Sequence, residues 1–179
     1  LAYWRDERDF RNVQLVERPQ TDFGVTMARL LVFATYQREL YAALARSTDA
    51  TLAAIAGKAV KEVAYHVDHA AHWVVRLGDG TAESHRRMQD ALDAEWPWVE
   101  ERFGQVDAGL VEDGTAADPE ALRAATLPRI EQVVAEATLV LPEVTPAVGG
   151  GRRGIHTEHL GYLLAEMQHL TRSHPGVTW

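Results

Sequence analysis

The sequence predicts an all-α protein built as an antiparallel bundle of long helices. Three observations carry that expectation. Apolar residues recur at three-and-four spacing through most of the 179 residues, the period of one helix face. No stretch alternates apolar and polar residues for long enough to make a strand. One uninterrupted segment, DATLAAIAGKAVKEVAYHVDHAAHWVVRLGDG, runs about 29 residues, roughly 43 Å at ~1.5 Å per residue. That length suits a bundle better than an α/β domain.

Each element follows in order. Asp22 is the expected N-cap of the first helix, in which Met27, Leu30, Leu31, Ala34, Tyr41 and Leu44 keep helical spacing. Ser47-Thr48-Asp49 punctuates, and the long second helix stops at Gly78, where glycine commonly ends a helix. Thr81 caps a third segment, ESHRRMQDALDAEWPWVEERF. Asp118-Pro119-Glu120 opens a fourth with a cap, a first-turn proline and an acid at the positive end of the dipole. It reaches about Thr138, with a kink expected at Pro128. LPEVTPAVGGGRRG is the clear loop, and the last helix starts near His156 or Thr157 and fades before Pro175. Five long amphipathic helices joined by short loops make one domain over residues 1–179, or most of one. The opening LAYWRDERDF, starting at Leu1, reads as entered mid-protein. The expectation is a fragment whose bundle lacks a helix at the front.

Composition narrows the function classes. A formal charge of −8 argues against a nucleic-acid binder, which would show a clustered basic face. No apolar run approaches the ~18 residues of a membrane span. Cysteine is absent, which removes disulfides, thiolate metal sites and cysteine nucleophiles together, and accords with a reducing, cytoplasmic setting.

The densest chemistry lies in AVKEVAYHVDHAAHW. At about 100° per residue, Glu62, His66, His69 and Trp73 share one stripe within about 60° of arc, flanked by Tyr65 and His72. Facing inward, imidazoles and a carboxylate could hold iron or zinc in a bundle. The chain would then be a metal-dependent enzyme with its own site at Glu62, His66 and His69. The same stripe also fits a hydrogen-bonded polar cluster under Trp73, or a face met by a partner in a metal-free interaction module. A di-iron carboxylate centre asks for two Glu-x-x-His pairs. Only Glu166 with His169 qualifies, since Val63 stands three before His66. GGGRRG (residues 149–154) reads as a flexible loop, with an intersubunit contact or a coenzyme phosphate on Arg152 and Arg153 as the sharper option; it lacks the P-loop ending. His159, Leu163 and Glu166 share a stripe expected to be a packed interface. No G-x-S-x-G elbow is present.

Six segments, RDERDFRN, LVERPQTDF, KEVAYHVDH, RLGDGTAESHRRMQ, HTEHLGYLLAEMQ and the ending HPGVTW, together resemble the accessory subunit of bacterial phenylacetyl-CoA monooxygenase, the ring 1,2-epoxidase of phenylacetate breakdown. The resemblance spans Leu1 to Trp179. It implies a ferritin-like fold, in a family whose members carry a further N-terminal helical stretch. It also implies a heterodimer with a catalytic di-iron oxygenase subunit that pairs further, a separate reductase, phenylacetyl-CoA as substrate of the complex, and a cytoplasmic location with neither nucleic acid nor membrane as partner. Against the catalytic subunit's KEESFH this chain has KEVAYH: Glu62 and His66 are kept and the ligand glutamate is Val63. Against its DEAGH stands DERDF: Glu7 is kept and the ligand histidine is Phe10. A third ligand position falls near Phe33 or Ala34. What the resemblance implies is a vestigial centre at Glu7, Phe10, Val63 and His66, with no metal or other cofactor and no catalytic residue in this chain. Its role would be non-catalytic support of the di-iron subunit. Phe10, Arg11 and Asn12, beside that centre, are candidates for a ligand-lined cavity.

Overall fold

A computed structural model describes residues 2–177. Leu1, Thr178 and Trp179, the outermost residues of the expected domain and of its HPGVTW ending, lie outside the described residues. Among those described, the regular elements are all helical. The long ones are α1 (Phe23–Leu44), α2 (Ala50–Gly78), α3 (Ala82–Glu95), α5 (Pro119–Glu136) and α6 (Glu158–Ser173), with a short α4 (Ala108–Glu112) that the sequence did not announce. No helix among the described residues is long and apolar enough to cross a membrane.

The expected caps form. The Asp22 carboxylate accepts the Val25 N–H at 2.9 Å, and Asp49 accepts those of Thr51 and Leu52 at 2.8 and 3.0 Å. Thr81 and Ser84 make a reciprocal capping box, and Asp118 accepts the Glu120 N–H at 3.0 Å. Each satisfies N–H groups that a helix start leaves without an intrahelical partner.

Three expectations change. The third segment is not one helix. Pro97 has no N–H to give and its ring crowds the preceding turn, so α3 ends at Glu95 and the chain continues in 3-10 turns, Trp96–Trp98 and Glu100–Phe103. Gly78 does end α2, but not as a left-handed cap. A Cβ there would overlap the Ala137 carbonyl oxygen and stand 2.9 Å from the Ala137 Cβ, so glycine is needed where two backbones meet. The left-handed position belongs instead to Thr138, φ 57°, where the Leu139 N–H closes the end of α5 on the Val134 carbonyl at 3.0 Å.

The third change is architectural. Four of the long helices form the bundle, with α1 packed on α2, α3 and α5. As the central helix, α1 buries Met27, Ala28, Leu31, Val32, Ala34 and Tyr36, too wide an arc for the amphipathic pattern expected of it. The main core runs from Met27 to Leu139 and holds no residue of α6 or of the N-terminal segment. The fifth long helix, α6, packs mainly on two N-terminal 3-10 turns, Glu7–Asp9 and Gln14–Glu17. Residues 2–17 and 150–177 thus make a leaf laid against the bundle.

Candidate functional site

The histidine stripe does not face inward. On α2 the buried positions are Ala56, Val63, Val67, Ala70 and Val74, while Glu62, His66, His69 and His72 are exposed and Tyr65 is 79 % exposed. The two sets lie about 100° apart around the helix. Desolvating a carboxylate and imidazoles without partners is costly, whereas valine and alanine gain from burial, so the apolar set takes the core face. Trp73 is half-buried, edge-on to Phe23 with ring centroids 5.0 Å apart, and Arg76 lies over it at 5.4 Å. Among the described residues, no three His, Asp or Glu side chains gather as a metal-holding group.

Two of the positions that the resemblance pairs with di-iron ligands do meet. Ala34 of α1 and Val63 of α2 sit in one small apolar cluster with Val67, edged by Leu30 and Tyr41. Aliphatic side chains offer no donor to a metal. Phe33 lies next to Ala34, half-buried. Glu7 and Phe10 are placed in the leaf. Glu7 borders a groove of about 520 Å³ between the first 3-10 turn and α6, shared with Asp6, Gly161, His169 and Arg172. Its floor is held by Gln168, whose side-chain amide donates to the Ala2 and Arg5 carbonyls at 2.8 Å each. Glu166 is exposed, one turn before His169.

Phe10, Arg11 and Asn12 are engaged with their own chain. The Phe10 ring lies 5.5 Å from the Arg5 guanidinium, and Arg11 donates to the Phe10 carbonyl at 2.7 Å. Asn12 donates to Glu17 at 2.8 Å.

The most elaborate polar chemistry lies where no motif announces it. Glu17, with no exposed side-chain surface, accepts four hydrogen bonds: from Asn12 at 2.8 Å, His156 Nδ1 at 2.6 Å, and the Thr157 N–H and hydroxyl at 2.7 and 2.9 Å. The other ring nitrogen of His156 faces the Phe10 carbonyl at 3.0 Å. Both partners of the ring are acceptors, so the ring bridges Glu17 to the Phe10 carbonyl. Glu95, 1 % exposed, pairs with Arg18 and Arg29 at 2.9 Å each. A sequence signal for Glu95 existed: it continues the buried stripe Met88, Ala91, Leu92, where a carboxylate needs cations.

GGGRRG forms a 3-10 turn, Gly151–Arg153, whose backbone N–H groups already hold a carboxylate. The Gly150 and Gly151 N–H groups both point at Glu101 Oε1, 2.7 Å away, so the anion in the nest is the protein's own carboxylate. Arg152 is equally committed, to the Tyr36 hydroxyl at 3.1 Å and the Arg102 carbonyl at 2.8 Å; Arg153 is exposed. Arg102 itself is buried between the Tyr36 and Phe103 rings. It donates to the carbonyls of Val32 and Val99, with no partner for Nη2 among the described residues. Burial pulls its guanidinium down to about 9. On α6, Tyr162, Leu163 and Leu170 are exposed, so the stripe expected to be packed is uncovered in the single chain.

The sequence model of the phenylacetic acid catabolic protein family matches residues 1–179. The chain is 43 % identical over 181 residues to one of the subunits of the 1,2-phenylacetyl-CoA epoxidase of Escherichia coli (strain K12), covering 100 % of this chain and 73 % of that protein. Two of the resembling segments, LVERPQTDF and HTEHLGYLLAEMQ, are those joined at Glu17, His156 and Thr157. With its helical bundle and a match along its whole length, the chain belongs to the phenylacetic acid catabolic protein family.

Proposed function

We propose that this chain is a non-catalytic subunit of a phenylacetyl-CoA epoxidase complex, where it supports a di-iron catalytic subunit that is served by a separate reductase. The observation that carries the proposal is its 43 % identity, over the whole of this chain, to a subunit of such an enzyme. The support for a non-catalytic role is chemical. On the resemblance, Val63 and either Phe33 or Ala34 stand in ligand positions and Phe10 replaces a ligand histidine, and Val63 and Ala34 pack as aliphatic side chains. These residues do not fit a di-iron centre, and no oxygen chemistry is assigned to them. The chain's contribution is then to position and brace another subunit's bundle. The exposed faces of α2 and α6, with Tyr65, Tyr162, Leu163 and Leu170 on them, are the surfaces available for that contact.

The test is co-expression with a di-iron oxygenase subunit of the same family, followed by co-purification, metal counting per chain and assay on phenylacetyl-CoA. A stable pair with iron in the partner alone, and a partner inactive without this chain, is the expected result. Full activity of the partner by itself would refute the supporting role. Iron in this chain, lost together with activity in His66→Ala, would favour an enzyme with its own centre at Glu62, His66 and His69.

A further inference from the structure

We propose that the leaf, residues 2–17 with 150–177, is a separately opening unit, and that the carboxylate of Glu101 is the latch that closes it on the bundle. The proposal rests on how the two parts are joined, independently of the function proposed above. The main apolar core contains nothing from the leaf; the large apolar side chains that the leaf buries, Val13, Leu15, Leu160 and Leu164, stand outside it. Little hydrophobic free energy therefore ties the leaf to the four helices.

What ties it is polar: Arg152 reaches the Tyr36 hydroxyl and the Arg102 carbonyl of the bundle, and the densest grip is at Glu101. Glu101 sits on the bundle side, in the turn after α3. One of its oxygens accepts the Gln14 N–H at 2.6 Å, from the leaf's first stretch of chain. The other accepts the N–H groups of Gly150 and Gly151 at 2.7 Å, where the leaf's second stretch begins. A single side chain thus grips both halves of the leaf at once. The glycines are required for the grip. Gly150 adopts φ 137°, which L side chains rarely reach, and a Cβ on Gly151 would overlap the Asn12 carbonyl oxygen.

Within the leaf, Glu17 joins the same two halves to each other through His156 and Thr157. This internal pin makes the halves move together. Ionised acceptors hold their donors roughly twice as tightly as neutral ones, so the latch depends on the charge of Glu101. Replacing an oxygen by an amide sets a donor against a donor at one end of the grip.

Native-state hydrogen exchange, followed by mass spectrometry on the full chain, tests this. In the unaltered protein at low denaturant, amides of 150–173 should open at lower free energy than those of α1 and α2. In Glu101→Gln, exchange over 10–17 and 150–173 should rise together by about tenfold or more, with α1, α2, α3 and α5 changed less than about twofold. In Glu17→Gln, the two segments should lose their common rate. An equal rise along the whole chain, a rise in one segment alone, or no rise in Glu101→Gln would each overturn the proposal. So would a variant that fails to fold, if the unaltered protein opens only globally.

Discussion

The bundle and the leaf are built from similar helices but held by different forces. In the bundle, α1 presents leucine, valine, methionine and alanine to three neighbours, and the main core is apolar although Thr35, Glu95, Arg102 and Thr126 are buried in the bundle too. In the leaf, α6 reaches its neighbours through Glu17, His156, Thr157 and Gln168. Apolar packing is non-directional and tolerates repacking. A carboxylate with four donors has one geometry and fails sharply when a donor is lost. The part that must be sturdy is oily, and the part that presents the exposed aromatic and leucine face of α6 is held by addressable polar contacts. The outer stripe of α2 is a third regime, solvent-exposed and making no demand on the fold.

The largest effect should come from the bundle. Leu31, 1 % exposed, cut to alanine should cost about 3 kcal/mol and lower the midpoint of thermal unfolding by roughly 10 °C. A loss below about 1 kcal/mol would mean that apolar packing does not set the bundle apart from the leaf. Next is the hinge between the parts. Glu95→Ala leaves Arg18 and Arg29, whose side chains are 25 % and 15 % exposed, without their shared anion. A cost of about 2 kcal/mol is expected by denaturant titration, and Glu95→Gln should recover part of it.

A smaller effect is expected at Asp22. The Val25 N–H, and then the Arg87 guanidinium, hold its carboxyl below the ordinary 3.8. The stability it contributes is therefore complete above that value and lost as pH falls through the lower folded one. Asp22→Ala should cost about 1 kcal/mol at neutral pH, a difference that shrinks in acid unfolding curves. If the difference persisted in full at the acid end of those curves, the cap would owe nothing to its charge. Smallest is His66→Ala, expected within about 0.5 kcal/mol of the parent, with the activity of the reconstituted complex unchanged. A large loss of activity there would restore the stripe as a working site.

The caps and turns were legible because they are local. Asp22, Asp49, Thr81 and Asp118 act on N–H groups two or three residues away, a distance the chain encodes directly. The end of α2 at Gly78 was legible too, for a reason that was not: the close approach of Ala137 comes from another helix. The resemblance pointed to Val63 and to Phe33 or Ala34, and the tertiary structure packs Val63 with Ala34. Glu17 and Glu101 were invisible because their partners lie as far as 140 and 87 residues away. Spacing along one helix cannot report such pairs.

The sequence by itself determined the helices, their caps and their all-α class, since helical periodicity and capping are set within a few residues. Only the tertiary structure decided which way the histidine stripe turns, that α6 leaves the bundle for the N-terminal segment, and that the triple glycine closes on Glu101. Those outcomes depend on which groups compete for burial across the whole chain. Valine displaces histidine from the core face of α2, and a buried carboxylate is tolerated only where distant donors converge on it.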